Sequence, residues 1–463
     1  MALEGSLRLS SYTIPIALEV EPGKTLLVHG YTGAIDVVET ALWQQIRNYP
    51  EQNDFTQEEV DILSKRGYLT ARTPEEELGY VKRLSDVLHK SYSKLYKSYG
   101  FVVTYNCNFR CPYCFENAIS KHGTAWSGKT MTPELVDRAF EAMFEIEPRK
   151  ELHKKSILLY GGELLLRENY DIVKYIVEKG VSLGYKFHVI TNGYDLDYFE
   201  DLLSNDKFQY FQVSIDGWRE YHNRRKYHFS EGGSFDKVIA NIGLLLKREI
   251  SVSVRVNTDG NNFRDVGRLR EYFKELGYSD SPYFRMYAAN VDEIKNVNKT
   301  KAIRYLGNDD FRENLKTSGT GLMHARAESI YREFKDYFEK RRRLHLSVVG
   351  CSGQYGTHIF APEGGIYTCL ETVGKTQHCI GYYNHPVIEW TDARSRWFGK
   401  HVGNTAVCSE CSYALLCGGN CAIKEFEGEK ETQLCIRYNT MMEDAVNKAY
   451  SEFINNQDQS NEE

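Results

Sequence analysis

Six short apolar runs, separated by segments of helical periodicity, organise the middle of the chain. The runs lie at residues 101–105, 157–160, 187–191, 211–215, 252–257 and 284–287. Continuous runs of this length are typical of strands that are buried on both faces of a parallel sheet. Between them, residues 132–146 show the helical pattern, with Thr132 as a cap and Pro133 at the first position. The alternation predicts an α/β fold with six βα units, a partial (β/α)6 TIM-like barrel, whose chemistry belongs at the carboxyl ends of the strands.

The start of the chain predicts a separate small module. Strands are predicted at residues 12–21, 24–29 and 68–70, and helices at residues 34–48 and 56–66. Thr56 and Glu59 have the spacing of a capping box, and Gly67 follows as a helix stop. Two strands, two helices and a returning strand form a winged-helix pattern.

These patterns divide the chain into six parts. We expect a winged-helix module over residues 1–72, a linking helix over 73–97, the barrel over 98–300, a helical bridge over 301–345, a cysteine-rich domain over 346–446, and a helix end with a disordered tail over 447–463.

Composition excludes several classes of partner. The 463 residues carry 58 basic and 64 acidic side chains, evenly mixed, for a net charge of −6. Such a balance creates no field that would attract nucleic acid or an anionic membrane. The chain has no signal-like start and no run near the roughly 18 apolar residues that span a bilayer. We therefore expect a soluble, cytoplasmic protein without nucleic-acid or membrane partners.

Eleven cysteines in such a chain indicate metal binding, because reducing compartments keep thiols free of disulfides. Three of them, Cys107, Cys111 and Cys114, lie in one loop after the first barrel strand. The other eight lie in the last quarter of the chain, at Cys351, Cys369, Cys379, Cys408, Cys411, Cys417, Cys421 and Cys435.

The loop spacing Cys-x3-Cys-x2-Cys offers three thiolates, one fewer than the irons of a four-iron cluster. A zinc site would need a fourth ligand nearby, and Cys351 is far downstream. With the buried strand before it and Tyr113 beside the last thiolate, the loop resembles the cluster loop of radical S-adenosylmethionine (radical SAM) enzymes. The resemblance implies a [4Fe–4S] cluster with one open iron and S-adenosyl-L-methionine (SAM) as cofactors.

Polar residues at later strand ends match the SAM-binding positions of that family. Gly161-Gly162-Glu163, by itself a turn with a surface acid, resembles the motif whose edge binds the methionine amino group, although Leu164 replaces the usual proline. The resemblance extends to Asn192 after the third strand and to Ser214 and Asp216 at the fourth. Arg255 and Asn257 on the fifth strand are further candidates. The implied cofactor-binding set is Tyr113, Gly161, Gly162, Glu163, Asn192, Ser214, Asp216 and Arg255.

The C-terminal cysteines resemble the SPASM domain, a module with two auxiliary [4Fe–4S] clusters. Zinc knuckles are the alternative, but they favour two Cys-x2-Cys pairs and only Cys408 and Cys411 form one. The resemblance implies an outer cluster on Cys408, Cys411, Cys417 and Cys435, and an inner cluster on Cys351, Cys369 and Cys421. Cys379 is either a fourth inner ligand or a buried thiol. Three [4Fe–4S] clusters follow in all.

The combined resemblance implies a radical SAM oxidoreductase that cleaves SAM reductively to a 5′-deoxyadenosyl radical. The N-terminal module resembles the element by which maturases of ribosomally made peptides hold a leader as an added strand, here along residues 24–29. Our first interpretation is a maturase that cross-links a precursor peptide, with Cys thioethers first and carbon–carbon links next. An electron donor such as flavodoxin or ferredoxin is implied. The alternatives are an anaerobic sulfatase-maturating enzyme that forms formylglycine, and an iron–sulfur protein without radical chemistry. The sequence identifies no catalytic base.

Overall fold

The computed structural model describes residues 7–52, 54–114, 116, 128–291, 303–317, 325–428, 435 and 437–462. The chain forms two compact units. The first unit comprises Met1–Lys94, Arg326–Tyr355 and Phe398–Glu463, and the second comprises Leu95–Ala325 and Gly356–Trp397. The predicted six-part division is finer than this and stays a prediction.

The described residues contain both short and long elements. The strands are β1 Arg8–Leu9, β2 Thr13–Ala17, β3 Lys24–His29, β4 Ile35–Glu39, β5 Leu69–Thr70, β6 Ser98–Val102, β7 Ser156–Tyr160, β8 Lys186–Thr191, β9 Phe208–Ile215, β10 Ser251–Thr258, β11 Phe284–Asn290, β12 Thr357–Phe360, β13 Gly365–Tyr367, β14 Gly381–Tyr382 and β15 Glu389–Trp390. The α-helices are α1 Thr40–Arg47, α2 Gln57–Arg66, α3 Pro74–Ser93, α4 Pro133–Ile146, α5 Tyr170–Ser182, α6 Arg219–Arg225, α7 Phe235–Lys247, α8 Asp265–Glu275, α9 Asn308–Thr317, α10 Ala325–Lys340, α11 Asp392–Phe398, α12 Ala406–Ser409, α13 Ala414–Cys417, α14 Ala422–Phe426 and α15 Tyr438–Glu462.

One large sheet forms the second unit. Strands β6 to β11 are neighbours in sequence order and every pairing among them is parallel, as the six apolar runs predict. Fully buried side chains such as Phe101 and Phe187 pack against helices, while residues of β7 to β10 that alternate with the buried ones are mostly only partly buried, so the predicted burial on both faces is wrong. Because the strands are parallel, their carboxyl ends meet at one edge of the sheet.

The other edge of this sheet was not predicted. Strand β12 pairs in parallel with β6, and β13, β14 and β15 continue from it as antiparallel neighbours. These strands come from the cysteine-rich segment, so Gly356–Trp397 belongs to the unit that holds the parallel strands. These four strands are only two to four residues long. Such short strands leave no extended periodic pattern in the sequence.

A three-stranded antiparallel sheet, β2-β3-β4, forms the start of the first unit. The helix predicted from residue 34 begins instead at Thr40, because Ile35–Glu39 is a strand. Its β-branched Ile35, Val37 and Val38 fit a pleated sheet better than a helix. Helix α2 has the predicted capping box between Thr56 and Glu59 and ends at Gly67, whose φ is 99°.

The same sheet corrects the predicted leader site. Strand β3 pairs with β2 on one side and with β4 on the other, so residues 24–29 have no edge for an added strand. Among the described strands of this sheet, the edges are β2 and β4.

The C-terminal segment differs from the prediction of a disordered tail. Helix α15 continues to Glu462. Its early turns bury Met442, Ala445 and Val446, and no glycine or proline interrupts the polar turns that follow. No helix in the described ranges is long and apolar enough to span a membrane.

Candidate active site

A cavity of about 300 Å³ in the second unit is lined by residues from the cysteine loop and from the carboxyl ends of the parallel strands. The predicted site residues in its wall are Cys107, Cys111, Cys114, Tyr113, Gly161, Gly162, Glu163, Asn192, Ser214 and Arg255, with Asn257 beside them. Asp216 is the one predicted cofactor-binding residue that is outside this described lining. The sheet edge therefore brings together side chains that are up to about 150 positions apart in sequence.

The two glycines of the second strand end are required by the cysteine loop itself. A Cβ atom on Gly161 would collide with the Thr104 carbonyl, and one on Gly162 with the Asn106 carbonyl. Hydrogen bonds fix this approach, since Gly162 N donates to Thr104 O at 2.9 Å and Glu163 N to Asn106 O at 2.8 Å. Because Cys107 follows Asn106 directly, the glycine pair sets where the cysteine loop begins.

Glu163 ties two strand ends together within the cavity wall. Its carboxylate accepts hydrogen bonds from Leu165 N at 2.9 Å, Thr191 Oγ1 at 2.7 Å and Asn192 N at 2.6 Å. The Asn192 side chain in turn donates to Asn108 Oδ1 at 2.8 Å in the cysteine loop. Burial raises the pKa of Glu163, although these hydrogen bonds act in the opposite direction.

Asp216 lies behind the cavity and holds Tyr113. The Tyr113 hydroxyl donates to Asp216 Oδ1 at 2.7 Å, and Asn257 Nδ2 donates to the same carboxylate oxygen at 3.1 Å. Arg225 pairs with the other Asp216 oxygen at 3.0 Å, while its guanidinium lies 4.7 Å from the Tyr113 ring centre. Burial raises the pKa of Tyr113, so the phenol stays protonated. Asp216 thus positions a lining residue.

Lys226 is a lining residue that the sequence reasoning did not identify. It is 5% exposed, and its Nζ lies 3.9 Å from Cys111 Sγ. Burial acts to lower the pKa of Lys226, but the negative charges that Cys111 and Asp216 carry when ionised outweigh it, so the pKa is raised. The ammonium therefore remains a buried cation beside the cysteine loop. Its position directly after Arg225, four residues beyond His222, carries no turn or strand-end signal.

Two further lining residues were also missed, and each has a polar atom without a hydrogen-bond partner in the described part of the chain. These atoms are Glu116 Oε1 and Asn290 Oδ1. Burial raises the pKa of Glu116 to about 7, a hydrogen bond with Tyr160 lowers it, and the Glu163 charge raises it further. The only available signal for Glu116 was its place two residues after Cys114.

This wall fits the implied cofactors. Three thiols face one space, where burial raises the pKa of Cys107 and of Cys111. Unpartnered buried acceptors and a buried cation also face it, and such groups fit a polar, zwitterionic ligand. Among the described residues, no three His, Cys, Asp or Glu side chains are grouped around a single-ion site. A four-iron cluster differs from such a site because each thiolate binds a separate iron.

A second cavity, of about 380 Å³, lies within the first unit. Its wall contains Cys408, Cys411, Cys417 and Cys435, which are the four cysteines assigned to the outer cluster. Tyr413, Tyr438 and Glu425 also line it. Cys351 and Cys421 are exposed and do not contribute to this described wall.

The remaining cysteines lie in three different settings. A Cβ on Gly350 would lie only 2.8 Å from Asn420 O, so the backbone at Gly350 passes close to the backbone at Asn420. Cys351 and Cys421 are the residues that directly follow these two positions. Cys369 is half-buried in the second unit. Cys379 is 1% exposed in an apolar cluster with Val102 and Ile359, and its thiol donates to Gly381 O at 3.1 Å. These contacts favour the buried-thiol alternative for Cys379.

Known relatives span most of the chain. The cysteine-type anaerobic sulfatase-maturating enzyme of Clostridium novyi (strain NT) is 26% identical over 342 residues, which cover 68% of this chain and 85% of that protein. The serine-type enzyme of Bacteroides thetaiotaomicron is 21% identical over 362 residues, covering 72% and 84%.

Solved structures share the fold. The structure of anSMEcpe with bound AdoMet and Cp18Cys peptide matches with a TM-score of 0.56 and 18% identity, over 79% of this chain and 99% of that one. Streptococcus suis SuiB bound to its precursor peptide SuiA matches with a TM-score of 0.52 and 13% identity, over 92% and 98%.

The Radical SAM superfamily model matches residues 101–273. This range begins on β6 and contains the cysteine loop, the glycine pair and Lys226. Residues 101–273 of this chain are therefore a radical SAM domain.

Proposed function

We propose that the protein is a radical SAM maturase that installs cross-links, first of all thioethers from Cys sulfur, in a ribosomally made precursor peptide. The observation that carries this proposal is that the outer edge of strand β4 pairs with no other described strand, in a module that precedes the radical SAM domain. An extended peptide can add to such an edge through main-chain hydrogen bonds. A leader held there keeps its core segment near the enzyme at high effective concentration.

The first cavity supplies the radical site in this proposal. Cys107, Cys111 and Cys114 hold the cluster, which together with bound SAM supplies a radical able to abstract hydrogen from carbon. Ser214, Arg255 and the Glu163 edge would hold SAM, while Tyr113, fixed by Asp216, lines the same cavity. Lys226 offsets the negative charge of the thiolates.

The second cavity supports an auxiliary role for the C-terminal cysteines. Cys408, Cys411, Cys417 and Cys435 would hold the outer cluster. The assignment of Cys351, Cys369 and Cys421 to an inner cluster stays a prediction from the sequence. With three protein ligands, such a cluster would have one iron available to a substrate thiolate. A flavodoxin or ferredoxin supplies the electrons.

Formylglycine formation is the second candidate. The similarity to the sulfatase-maturating enzymes of C. novyi and B. thetaiotaomicron favours it. Formylglycine formation from serine removes two hydrogens, as a cross-link does, so on serine mass alone does not separate the two reactions. Formylglycine formation from cysteine also replaces sulfur by oxygen, so on cysteine the two products differ in mass. The products differ chemically, because formylglycine carries an aldehyde and a thioether consumes a thiol.

The test is modification of a cysteine-containing peptide encoded beside this chain, with reconstituted enzyme, SAM and a reductant. Cross-linking predicts loss of two hydrogens per bond together with resistance of the cysteines to alkylation. A product that reacts with hydrazides would support formylglycine instead. A product with unchanged mass in ordinary water that takes up deuterium in heavy water would indicate epimerisation and contradict both functions.

A further inference from the structure

A third cavity, of about 490 Å³, lies within the first unit beside the start of strand β4. Its wall combines the β3–β4 turn with the end of helix α2 and the segment after helix α10. The apolar part is formed by Ala34, Ile35, Leu344 and Leu346. None of its residues contributes to the two cysteine cavities in the described structure.

Three of the wall residues are cationic. They are Lys65, Arg66 and Arg343, and no acidic residue lines the cavity in the described part of the chain. Arg66 is already engaged, because its Nε pairs with Asp36 at 2.7 Å. Lys65 and Arg343 are exposed, and neither has an ion-pair partner among the described residues. The cavity therefore carries about two uncompensated positive charges.

The hydrogen-bond register shows which backbone groups of β4 face outward. His29 N donates to Ala34 O and Thr40 N donates to Gly23 O, so the even-numbered residues from 34 to 40 face β3. In an antiparallel pair the intervening residues point the other way, which leaves Ile35, Val37 and Glu39 facing outward. Val37 is 40% exposed.

The outward groups lead into the basic cavity. Ile35 O accepts from Arg66 Nη2 at 2.8 Å and from Tyr337 Oη at 3.0 Å, so this end of the edge is closed by cavity residues. Only Val37 and Glu39 remain for pairing with an added strand. A peptide on this edge would thus pass from a short stretch of main-chain pairing into a space lined by cations.

We propose that this cavity binds an acidic side chain of the precursor's leader, next to the residues that pair with Val37 and Glu39. This inference rests on the proposed function and adds that the leader carries a negatively charged side chain at this position. Main-chain pairing with two residues carries little sequence information, whereas a carboxylate placed between Lys65 and Arg343 selects for position and charge.

The test is selection of binders from a display library of random short peptides against the full, reconstituted protein. Three variants are selected in parallel: the charge reversal Lys65→Glu with Arg343→Glu, the edge variant Val37→Pro, and the control Lys82→Glu with Arg83→Glu on the exposed face of α3. A peptide counts as an edge binder only if it binds the wild type and does not bind the Val37→Pro variant. Circular dichroism confirms that each variant is folded.

Edge binders of the wild type and of the control should be enriched in Asp or Glu at one position. Their affinity for the reversed variant should fall about tenfold or more. Edge binders without acidic enrichment, equal affinity for the reversed variant, or no edge binders at all would each overturn the proposal. Because no radical chemistry is involved, these results are independent of the mass-spectrometric test of cross-linking.

Discussion

Cys379 differs from the other cysteines in its surroundings. It lies among apolar side chains, where burial raises the pKa of its thiol and Gly381 O accepts its hydrogen. A Cβ on Gly365 would be only 3.3 Å from its sulfur. An iron ligand needs open space beside its sulfur, and these neighbours leave little of it.

Replacement of Cys379 by alanine should therefore leave the auxiliary-cluster spectra and the activity unchanged. The lost packing should cost about 1–2 kcal/mol of unfolding free energy. Electron paramagnetic resonance of the reduced protein and a urea titration measure the two effects. Loss of one cluster signal in this variant would show that Cys379 is a ligand.

Glu77 joins the N-terminal module to helix α3 through a fully buried carboxylate. It accepts hydrogen bonds from Ser10 Oγ at 2.6 Å, Ser11 N at 2.9 Å and Tyr31 Oη at 3.0 Å, and it pairs with Arg8 at 2.7 Å. Burial raises the pKa of Glu77, but these donors outweigh it and the pKa is lowered. The ionised form is therefore the one that stabilises the fold.

A group with a lowered folded pKa stabilises the protein above its unfolded pKa, and the contribution disappears as the pH falls through the folded pKa. Glu77→Gln should lose about 2 kcal/mol of unfolding free energy at pH 7, and the difference from wild type should shrink below about pH 4. Urea titrations across this range measure it. Glu58→Gln, on the exposed side of α2, is the matched control and should show no such difference at either pH.

At the scale of elements, the outward edge of β4 is the proposed peptide site. Proline at position 37 removes an N–H that points away from β3, so the β3–β4 ladder stays intact. Val37→Pro should lower peptide modification about tenfold or more while leaving uncoupled SAM cleavage unchanged. Val37→Thr keeps the N–H and should behave like wild type. Equal loss of both activities in Val37→Pro would instead indicate general damage to the fold.

The six parallel strands could be predicted because each is a short apolar run between helical segments. The expected burial on both faces was wrong, since β7 to β10 bury mainly alternate residues and β11 buries only Ala288. Helix α2 could be predicted because the Thr56–Glu59 capping box and Gly67 mark both ends locally. Strand β4 could not, since Val38 fits both a helical stripe and a pleated sheet, and only its pairing with β3 decides between them. The same holds for Lys226 and Glu116, whose roles depend on packing around the cysteine loop.

At the scale of the whole molecule, the cysteine loop and the C-terminal cysteines are proposed to hold separate clusters. Replacement of Cys107, Cys111 and Cys114 together by alanine should abolish SAM cleavage yet leave about two thirds of the roughly 12 irons expected for three cubane clusters. Iron analysis and detection of 5′-deoxyadenosine after anaerobic reconstitution measure both quantities. Cleavage retained in this variant would remove the assignment of the radical site.

The first unit is assembled from both ends of the chain. Tyr12 and Tyr31 from the N-terminal module share a core cluster with Val348, Val402 and Leu415, and the Tyr12 hydroxyl donates to Ser409 O at 2.8 Å. A ribosome that adds about 5–20 residues per second finishes the module long before it supplies those partners. Part of the apolar surface of the nascent module therefore stays uncovered while Leu95–Ala325 is made. Biosynthesis is therefore the period in which this surface is exposed to wrong contacts.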